Sequence, residues 1–117
     1  MNLRKGIFSI LLLSAALLVQ AQQTNIFTEA TMAYKRGVDF YNQNLFGLAQ
    51  KEFRDAMAYL RPVNEPEWKA LKTDAELYHA KCAVRLDQPE AEKLVLDFLR
   101  ENSPSPVASQ AALEIGN

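Results

Sequence analysis

Small and aromatic residues recur at fixed distances between Ala33 and Pro62, AYKRGVDFYNQNLFGLAQKEFRDAMAYLRP, and no other stretch restricts the fold as tightly. Gly37 precedes Phe40 by three residues, Ala49 stands twelve beyond Gly37, Phe53 four beyond Ala49, Ala56 three beyond Phe53, and Pro62 closes the run. Intervals of three and four put such residues on one stripe of a helix. Ala30, Ala33, Gly37, Phe40 and Tyr41 therefore predict a helix from Phe27 to about Asn42, with Gln22 to Ile26 left polar and frayed. Asn42, Gln43 and Asn44 break it. A second helix from near Phe46 carries Ala49, Phe53, Ala56 and Leu60 on one face and Lys51, Glu52, Arg54 and Asp55 on a solvated one. A glycine inside a helix costs about 1 kcal/mol against alanine, so Gly37 predicts another backbone pressing close.

Pro62 and Pro66 bracket a linker, because proline disfavours helix at its own position and at the one before. Asn64 and Glu67 then read as a capping box for a third helix, whose stripe is Trp68, Leu71, Ala75, Tyr78 and Cys82 and whose end lies near Leu86. Asp87 and Glu90 repeat that cap chemistry before a fourth helix with Ala91, Leu94, Val95 and Phe98 on its apolar face. Asn102, Ser103 and Pro104 stop it. A shift of 42 residues lays Ala49 on Ala91, Phe53 on Val95, Ala56 on Phe98 and Pro62 on Pro104. His79 or, after a one-residue deletion, Ala80 then falls opposite Gly37.

The order glycine, aromatic, alanine, aromatic and proline resembles the tetratricopeptide repeat, whose pattern of W-x2-L-G-x2-Y, A-x3-F and P runs over about 34 residues. Ala33 and Arg36 depart from it, standing where the family has tryptophan and leucine. The resemblance implies an all-α fold of antiparallel helix pairs, 30–62 and about 67–104, stacked as a short solenoid. It also implies a non-catalytic scaffold that binds a segment of another protein on the face lined by the first helix of each pair. Tyr34, Val38, Tyr41 and Asn42 would face that groove in the first pair, and Leu77, Lys81 and Arg85 in the second. Ser105 and Pro106 restart a helix with Ala108, Ala111, Ala112 and Ile115 on one face. That stretch reads either as an end helix capped by Gly116 or as the opening of a further repeat. Repeat arrays generally need three or more units, so stacking with further repeats is expected, and the alternative function is a structural repeat domain at the N-terminus of a larger envelope protein or enzyme.

The opening stretch has Arg4 and Lys5 followed by an apolar run from Ile7 to Val19. A membrane-spanning helix needs about 20 apolar residues, so the run reads as the core of a secretory signal, with Val19 and Ala21 suiting cleavage after residue 21. An uncleaved anchor is the alternative. With no cysteine after the core, a lipid anchor is not expected. The protein is thus expected to be exported; taken with that signal, the resemblance to the repeat family implies a bacterial envelope protein, periplasmic or associated with the outer membrane, touching membrane only through the signal or a partner.

Removing residues 1–21 takes Arg4 and Lys5 from 13 basic residues against 14 acidic ones and leaves a net charge of −3. Nucleic-acid partners call for clustered Lys and Arg, which are not found here. Cys82 is the single cysteine, so no internal disulfide forms. His79 is the single histidine, the glycines are Gly6, Gly37, Gly47 and Gly116, and no acidic run has EF-hand spacing. Neither a metal site nor a phosphate loop is expected, and no cofactor. His79 and Cys82 are neighbours on a helix, yet Cys82 continues an apolar stripe where it acts as a small hydrophobe, so no enzyme activity is assigned. Trp68, Tyr78, Phe40 and Phe53 read as core by their helical spacing, and Glu90 and Glu92 point to different sides.

Overall fold

The computed structural model describes residues 25–103, which form four helices and no strand. Helix α1 covers 25–42, α2 Phe46–Leu60, α3 Lys69–Arg85, entered through a 3-10 turn at Pro66–Trp68, and α4 Ala91–Asn102. Residues 1–24 and 104–117 lie outside the described residues, and with them the expected signal and its cleavage after residue 21, the stop expected at Pro104 and the expected helix after Ser105. No helix among the described residues is long and apolar enough to cross a membrane.

The contacts fix the directions of the helices. Gly37 of α1 lies under the Phe53 ring of α2, and Ala33 packs with Ala56. Residue numbers rise along α1 as they fall along α2, so the two are antiparallel. Ala49 and Phe53 meet Cys82 of α3, and Ala56 meets Ala75, which makes α2 and α3 antiparallel as well. Leu77 packs with Phe98 of α4. Across α1 and α3 the pairs Phe27 with Trp68, Ala33 with Ala75 and Tyr41 with Lys81 rise together, so these two helices run parallel, side by side over α2.

Alanine at the crossings lets the helices approach. Ala30, Ala33, Ala49, Ala56, Ala75 and Ala83 are fully buried, and Phe53, Leu60 and Cys82 are the largest side chains fully enclosed. Burying a ring such as Phe53 contributes about 2–3 kcal/mol. Close approach at Gly37 comes from that ring and not from a second backbone: a Cβ there would lie 2.6 Å from Phe53 Cε1. Gln50 is the one buried polar residue among the described residues, and its side-chain amide exchanges two hydrogen bonds with Gln88, at 2.7 and 2.8 Å. This pair ties the first turn of α2 to the loop after α3.

Both first helices end alike. Asn44 and Asp87 adopt left-handed backbone, φ 62° and 53°. After α1 the Leu45 N–H donates to the Phe40 carbonyl at 2.9 Å and the Asn44 N–H to Tyr41 at 3.0 Å; after α3 the Gln88 N–H donates to Ala83 at 3.0 Å and the Asp87 N–H to Val84 at 3.2 Å. Each is a Schellman closure, in which Asn and Asp stand in for the commoner glycine.

Several sequence expectations change. Asn25 and Ile26 are already helical. Neither capping box forms: α3 has no side-chain cap because its first amides donate to main-chain carbonyls of the turn, Trp68 to Glu65 at 3.1 Å and Lys69 to Pro66. Asp87 is used in closing α3, and α4 starts at Glu90 without a side-chain cap. Glu52 is not on a wholly solvated face, since the Arg36 guanidinium donates to it at 3.1 Å and its side chain is 14% exposed. Trp68, Tyr78 and Phe40 are half-buried, so of those four aromatics only Phe53 is enclosed. The internal correspondence also moves. Asn44 matches Asp87, 43 residues on, which puts Ala80 and not His79 opposite Gly37; Phe53 matches Phe98, 45 on, and not Val95. The second turn is two residues longer, 86–90 against 43–45, which accounts for the difference.

Candidate interaction surface

The side-by-side run of α1 and α3 brings a row of rings together. Positions 34, 38 and 41 share one side of α1, and 78, 81 and 85 one side of α3. Tyr34 packs on Phe53 and Tyr78 with ring centroids 5.8 and 6.0 Å apart. Tyr41 meets Tyr78 edge-on at 5.2 Å and Phe46 edge-on at 5.1 Å, while Phe53 stacks under Tyr78 at 5.0 Å. Such tilted and edge-to-face pairs contribute about 0.5–1.5 kcal/mol each beyond their burial.

Two cations sit over this row. Lys81 Nζ lies 5.0 Å from the centroid of Tyr78 and 5.4 Å from that of Tyr41, and the Arg85 guanidinium lies 5.7 Å from that of Phe46. Resting on ring faces, the two side chains lose part of their freedom before any partner arrives. At the opposite end, burial, then Asp74 and Tyr78, push the Tyr34 hydroxyl up to about 12, so it stays a neutral donor. Asp74 is itself raised by burial. The row therefore runs from a half-buried carboxyl to two cations.

Of the seven residues expected to face a groove, Tyr34, Tyr41, Lys81 and Arg85 meet here, with Val38 packed beneath on the Ala49, Phe53 and Cys82 cluster. Asn42 is exposed at the end of α1. Leu77 packs on Phe98 and Leu99 of α4, the place in the second pair that Tyr34 holds in the first. Phe46 and Tyr78 complete the row and are not among the residues expected to face a groove. Tyr78 was assigned to the core stripe of α3, and its spacing of three before Lys81 was the available signal.

The other titratable groups lie apart. Cys82 is fully buried, and burial pushes its thiol up to about 11 although Lys81 pulls it down, so it is not a thiolate at neutral pH. His79 lines a cleft of about 200 Å³ with Met57, Glu76, Leu94, Asp97 and Glu101. Burial and Arg54 hold it below 6.5, against Glu90. Glu76 is raised by burial, with Lys72 lowering it and Glu101 raising it. Asp97 is held low by its hydrogen bond from Lys93 and by Arg100. No cluster among the described residues has the makeup of a metal site.

No protein-family model, curated protein or solved structure matches this chain.

Proposed function

We propose that the chain is a non-catalytic protein-interaction scaffold of the bacterial cell envelope, built from repeats of the tetratricopeptide kind and exported by its leader. The α1/α3 row takes a segment of another protein. The observation that carries the reading is that row: Tyr34, Tyr41 and Tyr78 lie half-buried along two parallel helices with Lys81 and Arg85 stacked on the rings. Tyrosine and arginine are among the residue types enriched at protein contacts, and Lys81 is held over the tyrosine rings. The antiparallel α1/α2 pair and the matched closures of α1 and α3 support the repeat reading.

The test is site-directed photo-crosslinking in the envelope, with the probe at Asn42 beside the row or at Ala58 on the exposed side of α2. A discrete product from Asn42 and none from Ala58 is expected, weakened by Tyr34→Ala and by Lys81→Glu. A product that survives both substitutions unchanged overturns the assignment of the row.

A further inference from the structure

A concave site lies away from the tyrosine row, where α2 hands over to α3. It encloses about 390 Å³ between Leu60 and Val63 on one side and Pro66 and Trp68 on the other, a size in the range that holds small organic ligands. Leu60 forms an apolar floor, 1% exposed. Trp68 is backed by Phe27, ring centroids 5.1 Å apart, so its indole is held in place. Pro62 and Pro66 stiffen the loop between.

The rim decides the ligand class. Lys69 and Lys72 are one turn apart on α3 and both line the cleft; neither makes an ion pair among the described residues, Lys72 acting on Glu76 only as a nearby charge. Glu65 and Asn64 are the other polar lining residues. Two ammonium groups against one carboxylate favour an anion. Three main-chain N–H groups of the lining are already taken. Val63, Trp68 and Lys69 donate their N–H groups inside the turn, to Leu60, Glu65 and Pro66, and Pro66 has no N–H.

We infer that this cleft binds a hydrocarbon-chain carboxylate, its chain against Leu60, Val63 and Trp68 and its head group at Lys69 and Lys72. Trp68 is the only tryptophan in the chain, so its emission reports the cleft directly. The full chain is titrated with sodium decanoate below its micelle concentration, and with decanol as the uncharged control. Expected is a saturable blue shift with decanoate, weaker by about tenfold with decanol or in Lys69→Glu/Lys72→Glu, and unchanged in Lys93→Glu, whose charge lies on α4. Circular dichroism verifies that the variants keep their helices. No saturable shift, or equal binding of decanoate and decanol unaffected by the charge reversal, overturns the inference.

Discussion

Gly37 sits inside α1 and Gly47 in the first turn of α2, and they differ in what stands over them. A Cβ at Gly37 meets three atoms of the Phe53 ring within 2.8 Å, and that ring is fully buried, so it has nowhere to go. Gly47 is exposed in the first turn of α2 with nothing within 4 Å. Alanine gains about 1 kcal/mol of helix propensity over glycine, and overpacking a core costs about 1–3 kcal/mol. Gly37→Ala is therefore expected to destabilise by up to about 2 kcal/mol, while Gly47→Ala stabilises by up to about 1 kcal/mol. Urea denaturation of the two variants checks this, and a stabilised Gly37→Ala contradicts the packing described. The sequence marked Gly37 as a close approach because a helix interior tolerates glycine poorly. It did not show what approached, since a ring and a backbone leave the same mark.

Helix α3 carries two half-buried groups whose titrations oppose each other. Glu76 titrates above its ordinary 4.5, so the folded state holds its proton more tightly than the unfolded one. That contribution is present at low pH and is lost as pH rises above 4.5 through the folded value. His79 titrates below 6.5, so its neutral form is favoured on folding and stability is lost as pH falls from 6.5 through the folded value. Relative to the wild type, Glu76→Gln makes stability rise more with pH between about 4.5 and 6.5, and His79→Gln makes it fall more. Melting temperatures at pH 4.5, 5.5 and 6.5 read both changes, and equal slopes in the three proteins contradict the opposition. At this scale the helices were legible, because three-and-four spacing survives in Ala49, Phe53, Ala56 and Leu60, all buried. The caps were not. Asn64 and Asp87 have the right chemistry and spacing, but α3 is entered through a 3-10 turn at Pro66–Trp68 and Asp87 is drawn into the left-handed closure of α3, so neither side chain caps a helix. The tyrosine row was partly legible: Tyr34, Tyr41, Lys81 and Arg85 were read from position, whereas Tyr78 joined it through the parallel packing of α1 and α3 and Phe46 from the start of α2, which no local pattern encodes.

Across the described residues, burial is unevenly shared. Helices α1, α2 and α3 enclose the alanine crossings together with Phe53, Leu60 and Cys82, whereas α4 buries Phe98 alone and leaves Leu96 57% exposed. The ion pairs of α4, Lys93 and Arg100 with Asp97, are within the helix and do nothing to hold it to α3. Local opening follows such differences in buried contact. Removing a buried phenylalanine ring costs about 3–5 kcal/mol, a large part of the roughly 5–15 kcal/mol that holds a domain folded. Phe53→Ala is thus expected to lower amide protection in α1, α2 and α3 together, because Tyr34, Gly37 and Tyr78 all pack on that ring. Phe98→Ala touches only the contact with Leu77 and Leu99, and is expected to expose the amides of α4 while α1 and α2 keep theirs. Native-state hydrogen exchange separates the two outcomes. If Phe98→Ala instead releases all four helices at once, α4 is part of a single cooperative unit.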